Sequence, residues 1–396
     1  MNDHKLARAA TILADLVGFP TISARSNLAL IDYIRACLLK CGIESIPVFN
    51  EERTKANLVA SIGPRHQVGG VLLSGHTDVV PVEGQAWSSD PFSLTEREEK
   101  FFGRGTCDMK GFIACVLAEV ESLDPHTLKR PFHMVFSFDE EIGCVGVRRV
   151  IENFSSLATH PALIIIGEPT MMEPAIGHKG KIAGLMRCKG HECHSSDAPR
   201  GLNAIHLAND MITATRKLQD KIAYTPRPEE GFTIPYTTIH IGTIKGGTAL
   251  NIVPADCTLE FEIRNSPSDP ADSLLQSLFD EAAIVTEKAE SRFPGCGVQL
   301  EITNEYPGLL MRDDEPSLKS LQKLLGSHEA KKISFGTEGG LFHKALNVPT
   351  YICGPGDIAQ AHRPDEFISR DQMARCLKFL EKLSYFKISL YLLRFL

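Results

Sequence analysis

Three short apolar runs, each ended by glycine or polar residues, most strongly restrict what this chain can fold into. They cover residues 71–73, 132–138 and 163–166, and each has the length of a single buried strand. A segment with helical character, residues 109–123, lies between the first two runs. Buried strands separated by a helix predict an α/β domain with a mostly parallel central sheet. Because ligands of such sheets collect at the carboxyl ends of the strands, the polar residues after each run are candidate site residues.

Residues 176–308 have a different pattern, in which alternating strands are combined with two long helices. The strand-like segments are residues 181–188, 236–244, 257–264 and 298–306, and the helical segments are residues 203–218 and 273–292. An antiparallel sheet with two helices on one face is an α+β layer, so we predict an inserted α+β domain over residues 176–308. It would divide the α/β domain into residues 1–175 and 309–396. The length of 396 residues also favours two domains.

The charge and the cysteine content narrow the class of protein. Lys and Arg number 42 and Asp and Glu number 49, which gives a formal net charge of -7 without any basic tract. We therefore expect no nucleic-acid partner. The 11 cysteines form no CxxC pair. This favours free thiols in the cytoplasm over a disulfide framework.

Both ends of the chain carry apolar residues. Those between positions 6 and 17 recur at helical spacing, with Asp3 as an N-cap, and predict an amphipathic first helix rather than a signal peptide. No stretch of about 18 apolar residues occurs, so we expect neither a transmembrane helix nor a membrane partner. Residues 388–396 (ISLYLLRFL) are strongly apolar. We interpret them as a packed final helix or strand or as a non-native extension, with a membrane contact as the alternative.

The polar residues at the predicted strand ends include two histidines and several carboxylates. Each has an ordinary explanation by itself: a histidine at a strand end is commonly a hydrogen-bonded loop residue, and Asp108 before a helix is a natural N-cap. Three adjacent carboxylates, Asp139, Glu140 and Glu141, repel one another unless cations hold them. The candidate set is His76, Asp78, Asp108, Glu140, Glu141, Glu168 and His362.

This set of nitrogen and oxygen donors suits Zn²⁺, Co²⁺ or Mn²⁺. Two such ions that share one carboxylate would lower the pKa of a water toward neutrality. A spare carboxylate beside the ligands could then accept the proton. Taken together, the residues indicate hydrolytic chemistry with two divalent metal ions.

Seven motifs occur in order between residues 74 and 367, nearly the whole length of the chain. They read SGHTDVVPV, GRGTCDMKGF, FDEEIG, GEPT, GHECHSS, ALNIVPADC and GPGDIAQAHRPDEF. In wording and order they resemble the zinc aminoacylase and carboxypeptidase family, which includes acetylornithine deacetylase and succinyl-diaminopimelate desuccinylase. The resemblance implies a zinc-peptidase-like catalytic domain with an inserted lid or dimerisation domain.

The resemblance also implies a role for each matched position. His76 and Glu168 would bind one metal ion, Glu141 and His362 would bind the other, and Asp108 would bridge them. Zn²⁺ is the ion that the family implies, with Co²⁺ or Mn²⁺ as alternatives.

Two further residues of these motifs would act beside the ligands. Asp78 would orient His76 through its other ring nitrogen. Glu140 would be the general base, which takes a proton from the attacking water and returns it to the leaving amine. Adjacent residues point in different directions, so Glu141 can bind metal while Glu140 faces the water.

The inserted domain resembles the part of the family that forms dimers, so a homodimer is expected. His194 would reach the active site of the partner and stabilise the oxyanion. A separate metal site built from His191, Cys193 and His194 is the alternative. Asn251 and Arg264 would hold a substrate carboxylate, although Arg264 could instead be a surface charge of the sheet.

Two loop positions complete the expected substrate site. Gly356 would let backbone N–H groups approach an anion closely. Glu338 would pair with the δ-ammonium group of an ornithine side chain, or it would be a solvated loop charge.

The implied substrate is a small N-acyl amino acid. The leading expectation is hydrolysis of N2-acetyl-L-ornithine to L-ornithine and acetate, a reaction of arginine biosynthesis. The alternatives within the family are a succinyl-diaminopimelate desuccinylase and a general aminoacylase or dipeptidase. A catalytically inactive binding homologue is the alternative of a different class, but such a protein would be expected to lose a ligand or the base.

Overall fold

The computed structural model describes residues 3–224, 229–269 and 271–384 and contains both helices and strands. The α-helices are α1 (Asp3–Val17), α2 (Leu28–Lys40), α3 (Gly111–Ser122), α4 (Val147–Glu152), α5 (Phe154–Leu157), α6 (Ala204–Ala223), α7 (Ala271–Glu290), α8 (Pro316–Leu325), α9 (Gly339–Leu346) and α10 (Arg370–Ser384). The strands are β1 (Ser45–Phe49), β2 (Ala56–Ile62), β3 (Gly70–His76), β4 (Thr95–Arg97), β5 (Lys100–Phe102), β6 (Phe132–Ser137), β7 (Pro161–Pro169), β8 (Ala175–His178), β9 (Lys181–Lys189), β10 (Thr238–Gly246), β11 (Asp256–Arg264), β12 (Gly297–Tyr306), β13 (Leu309–Leu310), β14 (Lys331–Ile333), β15 (Thr350–Gly354) and β16 (Phe367–Ser369).

The largest sheet has the order β1-β2-β6-β3-β7-β15-β8-β13, with β14 paired to β8. Its central strands β6, β3, β7 and β15 are parallel to one another, whereas β1, β2 and β8 pair in antiparallel fashion. The central strands are buried at every position, as expected for parallel strands covered on both faces. The prediction of an α/β fold with a mostly parallel central sheet is confirmed.

Contacts divide the chain into two compact units. The first unit runs to Gly177, resumes over Leu309–Lys332 and continues from Thr337. The second unit comprises His178–Gly308 and Ile333–Gly336.

The second unit is built around a four-stranded antiparallel sheet with the order β10-β11-β9-β12. Alternate side chains of the strands pack with α6 and α7 in one core, which includes Met186, Leu259, Phe261 and Leu278. The other side chains of β9 and β11 are less buried, so these strands show the period of two expected for a sheet with one wet face. The predicted α+β arrangement of an antiparallel sheet and two helices is confirmed.

A small third sheet of the order β16-β5-β4 links two distant segments of the first unit. Phe367 pairs with Phe102, so the segment that follows His362 lies beside the segment that precedes Asp108. This pairing is relevant to the candidate site, because both of those residues are expected metal ligands.

The ends of the chain are described only in part. Helix α1 buries Leu6, Ala9, Ile12, Leu13, Leu16 and Val17, the same six residues whose spacing predicts it. Within the described residues, every helix is too short or too polar to cross a bilayer. The apolar residues 388–396 lie outside the described residues.

One close contact between β7 and α3 leads to a stability prediction. A Cβ atom at Gly167 would lie 2.0 Å from Cδ1 of Phe112, whose side chain is 1% exposed. Gly167→Ala therefore has to displace a buried ring, and overpacking of this kind typically costs about 1–3 kcal/mol. Urea unfolding followed by circular dichroism is expected to show that the free energy of unfolding is lowered by an amount in this range.

Gly242→Ala is a suitable control, because the nearest atom to its added Cβ would be 3.7 Å away and the backbone is not left-handed. We expect the free energy of unfolding of that variant to lie within about 0.5 kcal/mol of the wild-type value. Equal stabilities of the two variants would contradict the packing argument.

Candidate metal centre

Three expected ligands meet at the carboxyl ends of two adjacent parallel strands. His76 is the last residue of β3, and Glu168 is near the end of β7. Nε2 of His76 lies 2.9 Å from Oδ1 of Asp108 and 3.5 Å from Oε1 of Glu168. All three side chains are buried, so they form a preassembled group of one imidazole and two carboxylates.

A second group of possible ligands shares Asp108 with the first. Nε2 of His362 lies 3.1 Å from Oδ2 of Asp108 and 3.0 Å from Oε2 of Glu141. In each group the possible ligand atoms lie within 4.8 Å of one another. Each oxygen of Asp108 therefore faces a different histidine, which is the arrangement that a bridging carboxylate requires.

The electrostatics of these residues fit a site for divalent cations. Burial raises the pKa of Glu168 well above its ordinary value, and the nearby charge of Asp108 adds to the effect. Burial likewise raises the pKa of Glu141 to about 7, with Asp108 again contributing. Carboxylates crowded in a buried site repel one another unless protons or cations neutralise them. The mixed nitrogen and oxygen donors match what Zn²⁺ and similar ions prefer.

The two histidines hold the shared carboxylate in its charged form. Burial acts to raise the pKa of Asp108, but hydrogen bonds with His362 and His76 outweigh it and lower that pKa. Hydrogen bonds with Asp108 and Glu141 raise the pKa of His362 to about 10. An imidazole binds a divalent cation in its neutral form, so metal binding would release a proton from a charged ring.

Asp78 contacts both His76 and the loop that carries the glutamates. Nδ1 of His76 lies 2.9 Å from the backbone carbonyl oxygen of Asp78 and 3.6 Å from its carboxylate. The carboxylate accepts hydrogen bonds from the backbone N–H groups of Glu140 at 3.0 Å and Glu141 at 3.3 Å. It also accepts from the Ser23 hydroxyl at 2.7 Å. The ring is therefore oriented mainly by main chain, while the carboxylate fixes the loop after β6.

Glu140 lies beside the ligands with a side chain that is only partly buried. Burial raises its pKa to about 8; the charge of His76 lowers that pKa, and the charges of Glu141 and Glu338 raise it. The Cys144 thiol donates to its Oε1 over 3.3 Å. No sequence pattern indicated Cys144, whose partner is four residues away across a turn.

Glu338 has a different environment from either expectation made for it. Its side chain is 1% exposed, so the interpretation as a solvated loop charge is wrong. Its two carboxylate oxygens accept hydrogen bonds from the hydroxyls of Ser74 in β3 and Ser137 in β6. A carboxylate with both oxygens engaged in the interior supports these strand ends rather than offering a free charge to a substrate cation. Ser74 could have been found from its spacing, since it shares one face of β3 with His76.

Gly356 is required by local packing. Its φ is +91°, and a Cβ atom there would lie 2.6 Å from Sγ of Cys107. Its N–H donates to Oε1 of Gln372 at 3.2 Å, and its carbonyl accepts from Met171. The N–H of Gly356, which was expected to approach an anion, is therefore already engaged within the fold.

The remaining expected site residues belong to the second unit. Nδ1 of the exposed His194 accepts from the backbone N–H of Ser196 at 3.2 Å and lies 2.8 Å from its hydroxyl. In the neutral ring this leaves the proton on Nε2, so His194 presents a hydrogen-bond donor. Asn251 is exposed, and its backbone carbonyl accepts a hydrogen bond from the backbone N–H of Ser195. Arg264 is paired with Glu262 through Nε at 2.7 Å and Nη2 at 3.1 Å.

The alternative metal site around His194 has no support among the described residues. His191 stacks on Phe293 with ring centroids 4.9 Å apart, and the Cys193 thiol contacts the carbonyl of Asp197. Among the residues that the structure describes, the possible ligands that converge form the two groups that share Asp108.

Comparisons with known proteins agree with this geometry. Residues 72–385 match the family model described as peptidase family M20/M25/M40. An acetylornithine deacetylase of Salmonella heidelberg is 38% identical over 361 residues, which cover 89% of this chain and 91% of that protein.

Solved structures share the fold at low sequence identity. An M20 family metallo-carboxypeptidase from Sulfolobus solfataricus has a TM-score of 0.77 at 20% identity, covering 95% of this chain and 98% of the other. A Bacillus subtilis protein described as a dinuclear metal binding peptidase from the M20 family has a TM-score of 0.65 at 18% identity, with coverages of 97% and 98%. The chain therefore belongs to peptidase family M20/M25/M40.

Proposed function

We propose that this metal-dependent hydrolase cleaves the amide bond of N2-acetyl-L-ornithine and releases L-ornithine and acetate. The observation that carries the hydrolytic chemistry is Asp108, whose two oxygens face two separate groups of imidazole and carboxylate. Glu140 belongs to neither of these groups. The choice of substrate is supported by the 38% identity to a curated acetylornithine deacetylase. A role in arginine biosynthesis would follow from that substrate.

The metal ions would be held by residues of the first unit. His76 and Glu168 would bind one ion, Glu141 and His362 the other, with Asp108 shared. Bound Zn²⁺, or Co²⁺ or Mn²⁺ in its place, would polarise the amide carbonyl and make water more acidic.

Glu140 would move the proton in this reaction. Its Oε1 accepts from Cys144, which leaves Oε2 to accept a proton from the attacking water. The same carboxyl group would then donate that proton to the departing α-amine. The backbone N–H group of Glu140 donates to Asp78, which holds this part of the loop in place.

Residues 1–175 and 309–396 would form the catalytic domain, and residues 176–308 a lid that also forms a homodimer. Strand β10 is at the edge of the four-stranded sheet and most of it is exposed, so it could pair with the same strand of a second copy. Leu250 is fully exposed near this edge in sequence, and Ile244 and Ile252 are also exposed. Apolar side chains of this kind favour burial against a partner.

The substrate would be recognised partly by this lid. The Nε2–H of His194 would donate to the oxyanion in the active site of the partner. Asn251 and the Nη1 edge of Arg264, which now contacts the Tyr306 hydroxyl at 3.2 Å, would hold the α-carboxylate. All eleven cysteines are free, which supports a cytoplasmic location.

The substrate assignment is tested by comparing kcat/KM for acetylornithine, succinyl-diaminopimelate and acetylmethionine. We expect acetylornithine to be preferred, and we expect a chelator to abolish turnover until Zn²⁺ or Co²⁺ is restored. A preference for the succinyl compound would replace the proposed substrate and leave the chemistry intact. Activity that survives complete removal of metal would contradict the proposed chemistry itself.

Glu140→Gln is expected to lower kcat by about 10²–10⁴-fold, the usual contribution of a general base, while metal content stays near that of the wild type. Glu141→Gln is the matched comparison, because it should lower metal content as well. Atomic absorption on both purified variants distinguishes the roles. Loss of metal from Glu140→Gln would make Glu140 a ligand instead.

His194→Ala is expected to lower kcat by about 10²–10³-fold, as does loss of one oxyanion donor. His191→Ala, three residues away and stacked on Phe293, should retain most of the activity. Mixed dimers of His194→Ala and Glu140→Gln subunits should recover part of the activity, because one complete site can form. Verified mixed dimers without any recovery would show that His194 acts within its own subunit.

A further inference from the structure

Glu366 is a buried carboxylate that the proposed reaction does not use. It follows His362 by four residues and directly precedes β16. Its side chain is 1% exposed. A charge in such a position requires an explanation, because burial of an unpaired carboxylate is costly.

The contacts of Glu366 explain its burial. Oε1 accepts from the backbone N–H groups of Cys107 at 2.9 Å and Asp108 at 3.0 Å. Oε2 accepts from the N–H of Gly105 at 3.1 Å and from Nη1 of Arg104 at 2.6 Å. Four donors from one turn therefore converge on a single carboxylate. The last residue of this turn is Asp108, the ligand that the two metal ions would share.

The turn can wrap around the carboxylate because of its glycine. Gly105 has a φ of +85°, and a Cβ atom there would lie 2.7 Å from Cγ1 of Val79. The backbone carbonyl of Glu366 also accepts from the N–H of Gly103 at 3.0 Å. Both the main chain and the side chain of Glu366 thus hold this turn.

Arg104 extends the same network toward the other ligand. Its guanidinium is 1% exposed and donates to Oε1 of Gln85 at 2.6 Å. Nε2 of Gln85 in turn donates to the backbone carbonyl of His362 at 3.1 Å. The segment of His362 is therefore connected to the turn of Asp108 at two points, through Glu366 and through Gln85.

We propose that Glu366 is a positioning residue for the cation site shared by Asp108 and His362. By fixing the Asp108 turn against the segment that carries His362, it sets the 3.1 Å separation of Oδ2 and Nε2 before any ion arrives. This inference rests on the proposed function, in which these two residues share a metal ion. Neither oxygen of Glu366 needs to touch the metal or the substrate.

Glu366→Gln tests this role, because an amide of the same size cannot accept from all four donors. Metal-free, full-length protein is titrated with Co²⁺, followed by its visible absorption and by equilibrium dialysis. We expect the wild type to bind two ions. In the variant, the affinity for one of them should fall by about 10–100-fold, the usual effect of losing a partner that orients a ligand. The absorption bands of that ion should also change.

Glu119→Gln provides a matched control. Glu119 is another buried carboxylate of the first unit, 1% exposed and paired with Lys5 at 2.7 Å. The Glu119→Gln variant should have a lower melting temperature than the wild type, but its two Co²⁺ affinities and its absorption spectrum should be unchanged. Gln85→Ala is a milder change in the network, and it should weaken Co²⁺ binding in the same direction even if Glu366→Gln does not fold.

The possible outcomes separate the two proposals. A wild type that fails to bind two Co²⁺ ions would contradict the proposed two-metal function. A wild type that binds two ions, with Co²⁺ affinities and spectra unchanged in Glu366→Gln or, if that variant does not fold, in Gln85→Ala, would overturn the positioning role alone.

Discussion

The repulsion among buried carboxylates at one edge of the central sheet is the constraint on which the site depends. Asp108 and Glu168 are buried beside His76, and Glu141 lies next to Asp108 and the half-exposed His362. In such surroundings like charges destabilise the fold unless protons or cations neutralise them. The fold tolerates the cluster because Asp108 is placed between His76 and His362, and its two oxygens separate the charges into two groups.

Much of the remaining local structure serves to hold these groups in register. The parallel pairing of β3 with β6 and β7 brings His76, the loop after β6 and Glu168 to the same edge. Asp78 then fixes the loop of Glu140 and Glu141 through two backbone N–H groups. Buried carboxylates that bind main-chain donors are rigid supports, since their hydrogen bonds are charge-assisted. Ligands on loops are thereby held in positions as well defined as those of residues on a helix or strand.

The fold and the chemistry are more general than the substrate. Structures with the same architecture at 20% identity or less include proteins described as carboxypeptidase, tripeptidase and dipeptidase. A shared fold therefore does not define what is cleaved. In the proposed function, selection of an acyl amino acid depends on groups such as His194 and Arg264 in the second unit. Those groups lie outside the metal centre, so substrate preference can change while the ligands stay the same.

The sequence by itself determined the order of the elements, the parallel centre of the sheet and the residue types at the strand ends. These depend on local periodicity and on chain length, which a single sequence displays directly. The five candidate ligands could be recognised because motifs keep their spacing along the chain. What each oxygen contacts could not be read in this way.

Only the tertiary structure decided which residues distant in sequence meet. It buried Glu338 between Ser74 and Ser137, engaged the N–H of Gly356 with Gln372, and oriented His76 through the carbonyl of Asp78. It also placed the carboxylate of Glu366 beneath the turn of Asp108. Distances of this kind follow from strand order and turn geometry, which bring together residues as many as 277 positions apart, as in the hydrogen bond from Gln85 to His362. No local pattern of residues contains that information, because the same residue in the same local sequence could equally lie in a loop exposed to water.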